Sequence, residues 1–104
     1  PYHQAPPKKF DIEIENKEDY IFIEATLINN AEQVPREINK IPRKINDYIF
    51  INSSKDKKTL FIAPSIHEDS KNMTEWLFEQ KDIKIINYNI EEFIKKIETS
   101  GTLN

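Results

Sequence analysis

Apolar and acidic residues alternate from Phe10 to Glu15 (Phe-Asp-Ile-Glu-Ile-Glu), the two-residue period of a half-buried strand. Tyr20 to Leu27 is nearly all apolar and rich in β-branched and aromatic residues, as a central strand would be. The short polar stretch Asn16-Lys17-Glu18-Asp19 between them predicts a hairpin loop. Ile38, Ile41, Ile45 and Ile49 then recur at helical spacing, predicting a helix over roughly 31–50. Pro35 suits its start, and Pro42 is expected to kink or split it. Residues 52–58 are polar and predict a loop, Thr59–Ala63 a second apolar strand closed by Pro64.

A helix is expected over about 67–80, with Met73, Trp76 and Leu77 on one face and Ser65 and Glu68 spaced as a capping box. Ile83–Tyr88 is a third core strand. Asn89 and Glu92 form a second capping box, with Tyr88 and Phe93 as its hydrophobic staple. Ile90, Phe93, Ile94 and Ile97 are expected to line the buried face of that last helix, and Gly101 to stop it. The order strand, strand, helix, strand, helix, strand, helix makes an α/β (α+β) fold: a hairpin leading into right-handed β-α-β crossovers, a mixed central sheet flanked by helices. Residues 1–9, with Pro1, Pro6 and Pro7, read as a lead-in, and 10–104 as one folded core.

Composition narrows the chemistry. The 104 residues contain no Cys, which removes disulfides, thiolate metal sites and cysteine nucleophiles, and the single Gly rules out phosphate-cradling Gly-rich loops. No apolar run approaches the roughly 20 residues of a membrane span, and no signal-peptide core is present, so a cytoplasmic protein without a membrane partner is expected. The chain starts at Pro1 rather than Met and is expected to be part of something longer. A net charge of -3 argues against holding nucleic acid by bulk electrostatics alone. The charge is uneven, however: acid dominates residues 11–24, and Arg36, Lys40, Arg43 and Lys44 form a basic stretch. Such a stretch is either a solvated helix face or a rim that contacts phosphates.

The acidic residues carry the functional reading. Folding the hairpin about its polar loop pairs Glu15 with Tyr20, Glu13 with Phe22 and Asp11 with Glu24. Directly opposed residues share a face with Cβ atoms roughly 5 Å apart, so two ionised carboxylates there repel. Glu24 is also the only charge in an otherwise apolar strand, where an unpaired charge is costly. A divalent cation between them resolves both problems, and such oxygen ligands suit Mg²⁺ or Mn²⁺. The competing reading is a strand-end carboxylate that reaches solvent or caps a neighbouring helix. His3 and His67 are isolated in sequence and are not expected to ligate metal.

The stretches "FDIEIE" and "YIFIEATL" resemble the Asp…Glu-x-Lys signature of PD-(D/E)XK nucleases, in a Glu-x-Thr variant. More narrowly they are similar to the cleavage domains of AlwI-like and FokI-type type IIS restriction endonucleases, where a Gln and a further Glu follow on the next helix. "LFIAPSI", "IKIINYNIEEFI" and "SGTLN" extend the likeness over about residues 6–104. The resemblance implies a restriction-endonuclease-like core. In it Asp11 and Glu24 would be catalytic metal ligands, Glu37 a further catalytic acid and Thr26 the residue standing where most relatives have Lys. The steps Asp11 to Glu24 and Glu24 to Glu37 are both 13 residues. Gln33, Lys40, Arg43 and Lys44 would face DNA. The resemblance implies a Mg²⁺- or Mn²⁺-dependent endonuclease on double-stranded DNA, needing a recognition domain or subunit outside this chain and admitting a homodimer. The alternatives are an inactive nuclease-like dimerisation or interaction module and a structure-selective resolvase.

Overall fold

The computed structural model describes residues 10–47 and 55–100. The lead-in 1–9 with His3, the expected helix end at 48–50, the loop residues 52–54 and Gly101 lie outside them. Strands β1 (Ile12–Glu15), β2 (Asp19–Ala25), β3 (Asp56–Ala63) and β4 (Ile85–Asn89) form one sheet in the order β1-β2-β3-β4. The β1–β2 pair is antiparallel; β2–β3 and β3–β4 are parallel. The fold is therefore the expected mixed α/β sheet, a hairpin followed by two crossovers.

The hairpin turns on Asn16, whose Oδ1 accepts from the backbone N–H groups of Glu18 (3.1 Å) and Asp19 (2.7 Å). Its register is the one read from the sequence, Glu15 with Tyr20 and Glu13 with Phe22. Across one of these steps the Tyr20 hydroxyl donates to Glu13 (3.0 Å), and burial, reinforced by that carboxylate, pushes Tyr20 up to about 12. Strands β2 and β3 are covered on both faces, and their apolar runs reflect it. Phe22 and Phe61 pack with Phe10, Ile38, Ile41 and Leu77 on one side, whereas Ile21, Ile23, Leu60 and Ile62 meet Phe93 on the other.

The first crossover is not one kinked helix. It runs as α1 (Gln33–Arg36), a 3-10 turn (Ile38–Lys40) and α2 (Ile41–Asn46). The break falls at Glu37 (φ -125°, ψ -61°), while Pro42 sits in the first turn of α2, where its missing N–H costs nothing. β3 starts at Asp56 rather than Thr59, because the polar residues Asp56-Lys57-Lys58 pair in parallel with Asp19-Tyr20-Ile21.

Helix α3 (Glu68–Lys81) is capped by His67, whose Nδ1 accepts from Asp69 N–H (3.0 Å), not by Ser65. It ends at Asp82 in the left-handed region (φ 55°, ψ 34°), so β4 begins later than expected, at Ile85. Helix α4 (Ile90–Ser100) carries the expected capping box: Glu92 N–H donates to Asn89 Oδ1 (2.8 Å) and Asn89 N–H to Glu92 Oε1 (3.0 Å). Tyr88 and Phe93 pack beside it with tilted rings, centroids 5.9 Å apart. Its stripe is less buried than expected, since Ile90, Ile94 and Ile97 stay exposed, as does Trp76 on α3. Among the described residues no helix is long and apolar enough to cross a membrane.

Candidate metal and catalytic centre

Open parallel sheets present their ligands at the carboxyl ends of the strands, and the acids of interest collect there. Asp11 lies one residue before β1, one step beyond the last laddered pair, Ile12 with Ile23. Its Oδ2 accepts from the backbone N–H of Ala25 (2.9 Å), which ties it to the end of β2 beside Glu24. Asp11 is exposed and Glu24 is only 4% exposed. The two acids interact, the Asp11 carboxylate disfavouring ionisation of Glu24. Burial pushes Glu24 up to about 7; the Lys44 ammonium opposes that rise, and the Asp11 carboxylate adds to it.

Beneath the pair lies an aromatic floor, Phe10 stacked on Phe22 at 4.4 Å. Lys44, from α2, reaches over Phe10, its Nζ 5.4 Å from the ring centroid, and ion-pairs with Glu24 Oε2. This corrects an expectation: Lys44 is not part of an exposed basic rim but is buried at 8% exposure, with its ammonium paired to Glu24. The signal was present in the sequence. Lys44 lies three residues after Ile41, on the same apolar helical stripe.

Gln33 requires a second correction. It is fully buried, with Nε2 donating to the carbonyls of Ile28 (2.6 Å) and Ser65 (2.7 Å). Its Oε1 accepts from His67 N–H (2.9 Å) and the Ser70 hydroxyl (2.7 Å). All four bonds are internal, so Gln33 ties the loop after β2 to the start of α3 and is not placed to touch DNA. Its polar partners at Ser65, His67 and Ser70 lie more than 30 residues away in sequence, which no local pattern reveals.

Thr26 continues the sheet, its N–H donating to Ile62 O (2.9 Å). Its hydroxyl accepts from Ile28 N–H (3.1 Å) and reaches Glu37 Oε1 at 3.4 Å. Glu37 is thus joined to the rim through Thr26 and is not brought into one ligand set with Asp11 and Glu24. Among the described residues no group of three His, Cys, Asp or Glu side chains is arranged to hold a metal ion. Two carboxylates nonetheless fit a hard cation such as Mg²⁺, which commonly takes one or two protein carboxylates and fills its remaining positions with water and substrate phosphate. Lys40 and Arg43 are exposed on the crossover next to the site.

This arrangement can be set beside known proteins. No curated protein matches the chain. Among solved structures, it resembles the small subunit of the heterodimeric restriction endonuclease R.BspD6I, with a TM-score of 0.78 at 23% identity. The match covers 94% of this chain and 51% of that one, so the chain spans about half the length of that relative. The likeness is one of fold, a restriction-endonuclease core. The profile of the AlwI restriction endonuclease family matches residues 1–96, and by that match over nearly its whole length the chain belongs to the AlwI restriction endonuclease family.

Proposed function

We propose that this chain is the divalent-cation-dependent cleavage core of a type IIS restriction enzyme, hydrolysing phosphodiester bonds in double-stranded DNA. The observation that carries the proposal is the Asp11–Glu24 pair, two acids placed side by side at the carboxyl end of β2 by the bond from Ala25 N–H to Asp11. Folding places a buried acid beside a second acid, an arrangement that costs stability unless a cation takes it up. Asp11 and Glu24 would hold Mg²⁺ or Mn²⁺. Such an ion supplies charge against the phosphate oxygens and acidifies water.

The remaining roles belong to side chains of the rim. Thr26 offers a hydroxyl that can turn from Glu37 to the phosphate or to the attacking water, and Glu37 then orients that water. Lys40 and Arg43 contact the DNA backbone, which positions the duplex without reading its sequence. Sequence recognition belongs to a domain or subunit beyond this chain, in keeping with a relative named as one subunit of a heterodimeric enzyme. Cutting both strands requires two such sites, from that partner or from a second copy.

The ion pair of Lys44 with Glu24 favours a second reading. A site with its own internal countercharge suits a nuclease-like module that has given up catalysis and serves in assembly. Plasmid nicking separates the two. Fused to a DNA-binding domain, the chain is expected to nick or cut in Mg²⁺ and to stop in EDTA, and Glu24→Gln is expected to abolish cutting while leaving the fold intact. Equal cutting by the Glu24→Gln protein rules out the mechanism; an inactive wild-type fusion selects the module.

A further inference from the structure

Glu24 and Lys44 are the two charged residues buried among the described residues, and each is the other's partner. Stability does not explain such a pair, because a buried ion pair is generally no better than well-packed apolar residues of the same volume. The helix had a cheaper course: Arg43, the preceding residue, points into solvent. Lys44 instead lies on the apolar stripe of α2, with its ammonium above Phe10 and against one oxygen of Glu24.

We infer that Lys44 is a positioning residue of this centre: its ammonium holds one oxygen of Glu24 and sets how tightly the Asp11–Glu24 pair takes a divalent cation. The inference rests on the proposal that this pair is a cation site. A fixed positive charge beside Glu24 has two consequences of opposite sign. It repels an incoming divalent ion, so affinity for the ion is lower than two carboxylates alone would give. It also keeps positive charge at the site after the acids are engaged, where the doubly ester-linked phosphate of DNA brings negative charge. Loss of the ammonium should therefore tighten metal binding and weaken cleavage together. Simple structural damage would weaken both.

The test is calorimetric titration of Mn²⁺ into the full chain, with Lys44→Met and Lys44→Gln beside the wild type and Lys95→Met, an exposed α4 lysine, as control. Extrapolated to the pH plateau where Glu24 is fully ionised in every protein, the Lys44→Met and Lys44→Gln proteins are expected to bind Mn²⁺ about tenfold more tightly, from the Coulomb repulsion removed at this range. Lys44→Arg, which keeps the charge, and Lys95→Met should stay near the wild-type value. In the fused enzyme the same neutral variants should lose kcat by about 100-fold with little change in KM, the scale of a lost fixed charge at a reacting phosphate.

A second measurement uses the unaltered chain and so does not depend on the variants folding. The Lys44 side-chain ¹⁵N signal should shift as Mg²⁺ is added, in step with the Asp11 carboxyl signal. Unchanged or weaker Mn²⁺ binding by the neutral variants, or a Lys44 signal that ignores Mg²⁺ while Asp11 responds, overturns the inference and leaves the cation site standing. Failure of wild type and neutral variants alike to bind Mn²⁺ overturns the cation site itself.

Discussion

Replacing Glu24 by Gln should remove a pH-dependent loss of stability from the metal-free protein, and the size of that dependence follows from the site. Burial raises the Glu24 carboxyl from 4.5 to about 7, so the folded chain binds that proton more tightly than the unfolded chain does. A raised folded-state value gives a contribution that is fully present below the unfolded value and lost as pH rises through the folded one. For Glu24 that window runs from 4.5 to about 7. The span corresponds to about 3 kcal/mol between neutral and ionised forms, an order-of-magnitude figure. Gln imitates the neutral carboxyl and does not titrate. In EDTA, the stability of Glu24→Gln relative to wild type should therefore be about 3 kcal/mol higher at about pH 8 than at about pH 4. Urea denaturation at both pH values measures it, and taking the difference between the proteins cancels the titrating groups that do not interact with Glu24. A relative stability that is constant with pH, or that falls as pH rises, would refute the reasoning.

Three further outcomes follow from particular contacts. Gln33→Ala should cost about 3–5 kcal/mol in urea denaturation, because it leaves two carbonyls, one N–H and one hydroxyl without their buried partner. Asn89→Ala removes one half of the α4 capping box and should cost about 1 kcal/mol in the same assay. Replacing both Lys40 and Arg43 by Ala should lower DNA affinity of the fused enzyme about equally for all sequences. It should also reduce the slope of log affinity against log salt by about 2, read by fluorescence anisotropy.

What the sequence reveals follows the range of the interactions involved. The hairpin register is local: a short polar loop and strict alternation leave one pairing, and Glu13 does oppose Phe22. The Asn89–Glu92 box and the Tyr88–Phe93 staple are local too, and both form. The register also places Asp11 beside Glu24, which is where the structure has them. Residues whose partners come from elsewhere are the ones misread. Gln33 looks like a surface polar residue until the loop after β3 and the start of α3 arrive to satisfy it. Lys44 shares the apolar stripe of Ile41, which marks it for burial, but no local pattern shows that its charge meets Glu24, 20 residues away. β3 starts early for the same reason, since Asp56 gains its ladder partner from β2 and not from its own neighbours. The exposed Ile90, Ile94 and Ile97 show the converse: helical spacing marks an apolar face but does not state how much of the sheet is available to cover it.

The central claim is that Asp11 and Glu24 together hold a divalent cation, and the most direct test is a crystal structure of the chain grown with Mn²⁺ and measured for anomalous scattering. An anomalous peak is expected between the two carboxylates, bonded to an oxygen of each, with Lys44 still beside Glu24. A site that stays empty at saturating Mn²⁺, or a peak bound only elsewhere, would contradict the claim.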